Sequence, residues 1–268
     1  MNVQGKVFVV TGAGNGIGRE VTLQLLAKGA RVAGIDLNEQ GLAETAKLAN
    51  AGAHFTTHAV NITDRDATAA LPAVVQEAHG QVDGLINIAG VIQQFVRVID
   101  LPFSEIEKVM NVNFWGVINM VKAFLPVLVE RPEASLVNIS SMGAYAPVPG
   151  QAVYGASKAA VRLLSEALYA ELMDTDVAVS VVFPGAIGTN IAQNSGVRIG
   201  SGAESAAEST HKTTAPSEAG RVIVEEAIEK GKFRATIGKD AAIMDKLARL
   251  SPKKAAETIA KQMGDLLG

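Results

Sequence analysis

The sequence predicts an α/β protein: a three-layer, doubly wound sheet of about seven parallel strands with helices on both faces. Three observations carry this. Strand-like apolar runs alternate with helical patterns over most of the 268 residues, which is the rhythm of strand–helix–strand units. Apolar residues make up 48% of the chain, enough to cover both faces of a buried sheet. Near the N-terminus, Val7 to Gly18 runs from an apolar strand through a glycine turn into a helical pattern at Ile17, Val21, Leu25 and Leu26.

That first unit is the most specific. Gly12, Gly14, Gly16 and Gly18 follow the strand and open the helix. A helix beginning on glycine offers unpaired N–H groups and a positive dipole end to an anion. Backbone without Cβ atoms also lets a pyrophosphate approach closely. The spacing from Thr11 is Thr-Gly-x-x-x-Gly-x-Gly, a variant of the G-x-G-x-x-G fingerprint, and an ordinary tight loop is the competing reading.

The second strand spans Arg31 to Asp36, with a helix from about Asn38 to Asn50. His54 to Val60 reads as the third strand, Asp64 opens a helix to about His79, and Val82 to Ile88 is the fourth strand. The segment Val91 to Leu101 precedes a long helical region ending near Pro132. Ser135 to Ser140, a helix from Ala152 to Met173, and Val177 to Phe183 complete the regular part. Beyond Pro184 the rhythm breaks, and 190–216, poor in large apolar residues, is expected to be a substrate lid. A helix from Ser217 to about Lys230 and a strand near Ala235 to Ile237 follow. Asp240 to Leu250 and Pro252 to Leu267 form a C-terminal helical extension (240–268), with Pro252 at a favoured first-turn position. No repeat or clear linker divides the chain, so one domain over 1–268 is expected.

Several residues point to chemistry. Asp36 ends the second strand some twenty residues after the turn, where a carboxylate binds an adenosine ribose and repels a 2′-phosphate. Asn15, Leu37 and Asn38 supply no cation to offset that repulsion, so NAD is favoured over NADP. An Asp that merely starts a turn is the plainer alternative. Tyr154 and Lys158 lie four apart at the start of a helix and share a face. A nearby ammonium favours the phenolate, lowering a phenol whose free value of about 10 is too high for a useful base. The preceding strand ends in Asn138-Ile139-Ser140-Ser141, placing hydroxyls beyond strand carboxyl ends, where ligands bind in such folds.

With these residues the chain resembles the classical short-chain dehydrogenase/reductase family over nearly its whole length. The matching segments are Thr11 to Gly18, Asn87 to Gly90, Asn111 to Gly116, Ser140-Ser141, Tyr154 to Lys158, and Pro184-Gly185 with Thr189. The resemblance implies a single Rossmann-like domain and a catalytic tetrad of Asn113, Ser141, Tyr154 and Lys158. Ser141 is chosen over Ser140 because it lies thirteen residues before the tyrosine. It implies that Tyr154 exchanges a proton with the substrate oxygen while hydride passes between carbon and nicotinamide. Ser141 then holds that oxygen, Lys158 binds the nicotinamide ribose and tunes Tyr154, and Asn113 keeps a helix distortion and a relay water in place. Cofactor contacts are implied at Gly12, Asn15, Gly16, Ile17 and Gly18; at Asp36 and Leu37; at Asn61 and Ile62; and at Asn87, Ala89 and Gly90. Tyr154, Lys158, Pro184, Gly185, Ile187 and Thr189 complete that set. Substrate contacts are expected from Gln93, Ser141, Met142 and Tyr154. Two departures stand out: Ile88 replaces the family's second Asn, and Asn61 replaces its adenine-contacting acid, so that the amide oxygen is expected to take the adenine amino group.

Composition excludes other classes. A net charge of −3 with scattered basic residues gives no nucleic-acid footprint, and the absence of cysteine excludes disulfides and thiolate chemistry. No apolar run is long enough to span a membrane, and the first strand begins too early for a signal peptide, so a cytoplasmic protein is expected. His54 and His58, four apart on a strand, would be about 13 Å apart and make no metal pair, and no metal site is expected. Phe114-Trp115 is expected to pack the long helix. The expectation is an NAD-dependent enzyme interconverting a secondary alcohol and a ketone, as a homodimer or homotetramer built on the long helices. An acyl-thioester 3-ketoacyl reductase of fatty-acid type and a non-catalytic NAD-binding regulator are the alternatives.

Overall fold

The computed structural model of the chain describes residues 1–197 and 213–263. Its strands are β1 (Val7–Thr11), β2 (Arg31–Asp36), β3 (Phe55–Ala59), β4 (Gly84–Asn87), β5 (Ala134–Ile139), β6 (Val177–Pro184) and β7 (Arg234–Ile237). They form one sheet in the order β3-β2-β1-β4-β5-β6-β7, and every pairing is parallel. The chain steps outward from β1 to β3, then returns to lay β4 on the other side of β1. Crevices open beyond the carboxyl ends of the strands at such a reversal.

Alternation along β1 shows why the strand is continuously apolar. Phe8 and Val10 face a core with Val21 and Leu25 of α1 (Gly16–Ala27) and with Ile223, Val224 and Ala227. Val7 and Val9 face the opposite core, with Leu71 and Val75 of α3 (Arg65–His79), Phe124 and Leu128 of α5 (Gly116–Leu128), and Val161 of α6 (Ala152–Glu171). With helices on both faces, neither register of the strand can be polar. Helix starts follow side-chain caps: Asn15 accepts from Gly16 N, Asn38 from Gly41 N at the head of α2 (Glu39–Ala49), and Asp64 from Asp66 N and Ala67 N.

Four expectations change. The long helix before β5 is not continuous: α4 (Phe103–Met110) passes through a wide π-helical turn at Asn111–Trp115 before α5. That extra residue turns Asn113 inward, where it is fully buried, and leaves Trp115 44% exposed beneath the Arg65 guanidinium rather than packed away. A second π-helical turn, Ile223–Glu229, continues α8 (Pro216–Val222). His54 closes a short 3₁₀ turn instead of joining β3. His58 and the buried His79 share the Thr56 hydroxyl, each at 2.9 Å.

After β6, α7 (Ile191–Asn194) forms a single turn, and Ile187 bridges in parallel to Thr214. Most of the expected lid, 198–212, lies outside the described residues, as do 264–268 of the terminal helix. The C-terminal helices α9 (Lys239–Leu250) and α10 (Pro252–Met263) pack on their own chain. Met244, Ala255 and Ile259 surround Ala146, and Tyr145 Oη donates to Ala241 O at 2.8 Å. Among the described residues no helix is long and apolar enough to cross a membrane, and no group of three or more His, Cys, Asp or Glu could hold a metal ion.

Candidate active site and cofactor crevice

The glycine turn is held shut by contacts that larger residues would forbid. Gly12 has φ +74° and its N–H donates to Ile35 O at 2.8 Å. A Cβ on Gly18 would collide with the Gly12 carbonyl. Arg19 latches the turn to α2: its guanidinium donates to Gly14 O at 2.6 Å, Thr45 Oγ1 at 3.0 Å and Glu44 Oε2 at 2.8 Å. Thr45 in turn donates to Ala13 O at 2.9 Å.

This turn forms one wall of a crevice of about 430 Å³ at the reversal between β1 and β4. Of the residues expected to hold a cofactor, Gly12, Asn15, Gly16, Ile17, Gly18, Asp36, Leu37, Asn61, Ile62, Ala89, Gly90 and Thr189 line it. Asn38, Val60, Val112 and Asn190 line it as well and were not foreseen; Val112 lies within the Asn111 to Gly116 segment, and the others sit beside foreseen residues. Asp36 is doubly engaged, its Oδ2 accepting from Gly14 N and its Oδ1 from Asn38 N, both at 2.9 Å. Each carboxylate oxygen keeps a further lone pair. Leu37 beside it is 72% exposed, and among the described residues lining the crevice there is no Lys or Arg.

The remaining expected contacts sit elsewhere. Asn87 does not line the crevice: buried, it donates from Nδ2 to Asn138 Oδ1 at 2.8 Å, tying β4 to β5. Pro184 ends β6, Gly185 N donates to Ile237 O at 2.9 Å, and Ile187 packs against the core. At Asn61 the expected chemistry reverses. Its Oδ1 already accepts from Thr63 N at 3.0 Å and Thr63 Oγ1 at 2.9 Å, which fills both lone pairs. The Nδ2 donor is left for a ring nitrogen, and the oxygen is not left for an amino group. The missing second Asn is covered by Thr11, whose hydroxyl accepts from Ile88 N and Ala89 N at 3.0 and 3.1 Å.

The four residues of the expected tetrad gather around two glycines. A Cβ on Gly90 would lie 3.2 Å from both Asn113 Oδ1 and Lys158 Nζ, tighter than an ordinary contact, and one on Gly143 would lie 3.5 Å from Ser141 Oγ and from the Tyr154 ring. Asn113 accepts from Val91 N at 2.8 Å and donates to Val91 O at 2.9 Å and Ser157 Oγ at 3.0 Å. Ser157 passes the contact on to Tyr154 O at 2.7 Å. Lys158 Nζ donates to Ile139 O at 3.0 Å. The two serines separate cleanly. Ser140 is buried and spends its proton on Lys158 O at 2.8 Å, whereas Ser141 Oγ accepts from Gly143 N at 3.0 Å and turns its proton toward the Tyr154 phenol.

Burial dominates the titration of this cluster. It pushes the Tyr154 phenol above its ordinary value, against a smaller lowering from the Ser141 hydroxyl, and it brings the Lys158 ammonium down to about 8. Burial outweighs any lowering that the Lys158 ammonium would bring to Tyr154, and the same desolvation pulls Lys158 toward its neutral form.

Of the expected substrate contacts, Met142 packs toward the C-terminal cluster around Ala146, and Gln93 is fully buried. Gln93 touches the head of α6: its Oε1 accepts from Val153 N and Tyr154 N, so it stands behind the catalytic helix rather than in substrate space.

Comparison with known proteins agrees with this architecture. The sequence model described as short chain dehydrogenase matches residues 6–198. A Mycobacterium tuberculosis (strain ATCC 25618 / H37Rv) protein named as the oxidoreductase SadH is 38% identical over 253 residues, 92% of this chain and 91% of its own. The 3-oxoacyl-[acyl-carrier-protein] reductase FabG of Thermotoga maritima is 32% identical over 190 residues, 70% of this chain and 77% of its own. Among solved structures, a short chain dehydrogenase/reductase from Burkholderia phymatum in complex with NAD superposes with a TM-score of 0.82 at 26% identity, covering 93% of this chain and 96% of that one. A short chain dehydrogenase from Burkholderia cenocepacia in complex with NADP gives 0.81 at 25%, covering 97% and 99%.

Proposed function

The chain belongs to the short chain dehydrogenase family, and from that premise we propose that it is an NAD-preferring oxidoreductase that interconverts a secondary alcohol and a ketone. The observation carrying the proposal is that Asn113 and Lys158 lie against Gly90, which itself lines the crevice, while Ser141 and Tyr154 lie together against Gly143. The residues present fit a dinucleotide. The Asn15–Gly18 turn offers helix N–H groups to a diphosphate, Asp36 offers ribose acceptors, and Asn61 offers a donor to an adenine nitrogen. When bound, a nicotinamide supplies the hydride acceptor or donor.

The chain's own part is proton handling and orientation. Ser141 donates to the substrate oxygen and fixes it. Tyr154 Oη takes the alcohol proton in oxidation and returns it in reduction. Lys158 lies one helical turn on, its Nζ at the Gly90 wall where a ribose would be bound. The paired Asn113–Val91 bonds keep the π-helical turn open at this point. Asp36, with no cation beside it, supports NAD, while relatives solved with NAD and with NADP leave that choice open. The protein acts in this reading as one domain over 1–268, in the cytoplasm, on a small-molecule alcohol or ketone.

A second reading is reduction of a 3-ketoacyl thioester, favoured by the 32% identity to a protein of that name. A panel of secondary alcohols and 3-ketoacyl thioesters, each assayed with NAD(H) and NADP(H) by nicotinamide absorbance, separates the two readings. We expect alcohol turnover with NAD; turnover of the thioester alone, or none at all, would overturn the first reading. Tyr154→Phe should lower kcat by about a thousandfold, within the range for losing a positioned acid–base group, with NAD affinity nearly unchanged.

A further inference from the structure

The helix that carries Tyr154 and Lys158 lacks a cap of its own. Gln151 occupies the cap position of α6 and makes no side-chain bond to the helix N–H groups. An uncapped helix start buried beside a reaction centre leaves polar N–H groups without partners and free to shift. The missing acceptor comes from 60 residues away in sequence. Gln93 Oε1 accepts from Val153 N at 2.8 Å (|i−j| = 60) and from Tyr154 N at 3.0 Å, the second and third N–H groups of the helix, which a cap ordinarily serves. Its Nε2 donates to Gly150 O at 2.9 Å, and Gln151 Nε2 returns a bond to Gln93 O at 2.7 Å. Gln93 is fully buried, and both heavy atoms of its amide are engaged.

The same short loop reaches the other side of the tetrad. Val91, two residues earlier, is gripped through both its N–H and its C=O by Asn113, and Asn113 continues through Ser157 to Tyr154 O. Residues 91–93 are thus a strut between the π-helical turn and the head of the catalytic helix. We propose that Gln93 is a positioning residue for the reaction: a cap delivered in trans that fixes where the Tyr154 phenol stands relative to Ser141 and the crevice. This rests on the oxidoreductase reading for what is positioned, though not for the cap itself. A displacement of about 1 Å at a reacting group is enough to cost on the order of a hundredfold in rate.

Two substitutions separate shape from bonding. Gln93→Met keeps the length and removes every side-chain hydrogen bond. Gln93→Glu keeps the acceptor for Val153 N and Tyr154 N and, as the neutral acid that full burial favours, can still donate to Gly150 O. For purified full-length protein we expect Gln93→Met to lower kcat by about tenfold to a hundredfold with KM for NAD changed by less than about twofold. Gln93→Glu should recover most of that loss. Amide hydrogen exchange should show Val153 and Tyr154 protected in the wild type and in Gln93→Glu, and opened in Gln93→Met. Retained protection at both amides in Gln93→Met, or equal losses of kcat in the two variants, would overturn the proposal. If the wild type turned over no substrate while Gln93→Met still lost protection, the oxidoreductase reading would fall and the cap would stand.

Discussion

In the proposed reading Asp36 sets cofactor choice by its charge, but it is also structural, since it bonds Gly14 N and Asn38 N at once. A test must therefore remove charge without emptying the position. Asp36→Asn keeps one acceptor and should shift the ratio of kcat/KM for NADP over NAD upward by at least about tenfold, equivalent to about 1.4 kcal/mol. An unchanged ratio would refute the ribose assignment. The catalytic pair yields a prediction with a sign. Lys158 is brought down to about 8 and Tyr154 is held above its usual value, so the first proton to leave the buried pair leaves near 8. Alcohol oxidation needs the pair one proton short, so kcat/KM should rise with pH and level off above about 8, while ketone reduction, which needs that proton, should fall across the same range. Lys158→Met leaves only the raised phenol, and its ascending limb should move up beyond about 10. A limb that stays in place on pH–rate profiles would exclude Lys158 from the titration.

Helix α1 and its glycine turn are where local chemistry and packing agree most closely. A methyl group on Gly18 would collide with the Gly12 carbonyl, a backbone atom that cannot swing aside. Gly18→Ala should therefore destabilise the fold by about 1–3 kcal/mol and weaken NAD binding by at least about tenfold, measured by urea unfolding and by isothermal titration. The seven strands and the helix starts at Asn38 and Asp64 were legible in the sequence because continuous apolar runs and capping side chains write them locally. The glycine turn was legible from its spacing, while the grouping of Asn113, Ser141, Tyr154 and Lys158 came from the family resemblance. The break at Asn111–Trp115 was not, since a π-helical turn keeps helical composition and is fixed by the distant Val91. Gln93 was misread for a similar reason: its loop position suggested substrate, and only the tertiary fold brings Val153 and Tyr154 to it. At Asn61 the expected acceptor was not legible as already engaged, because the Thr63 contacts that consume its oxygen depend on the turn that forms there.

At the scale of the whole molecule, the two cores bury their apolar residues thoroughly, yet several large apolar side chains remain outside. Phe103 at the start of α4 is 82% exposed and Leu163 on α6 is 68% exposed, and these two helices pack against each other. Single exposed apolar residues are ordinary, and we propose that those on these two adjoining helices belong to a surface that a second copy of the chain covers. Both helices belong to the long-helix segments on which a homodimer or homotetramer is expected, and a closed symmetric pairing would use one such face twice. Sedimentation equilibrium at micromolar concentration should return a mass of two or four times 27.9 kDa. Placing a carboxylate at the centre of that face, in Leu163→Glu or Phe103→Glu, should move the mass toward that of a single chain, because an unpaired buried charge is strongly unfavourable. A wild type that sediments as one chain, or variants that keep the full assembly mass, would show that these helix faces are not the subunit interface.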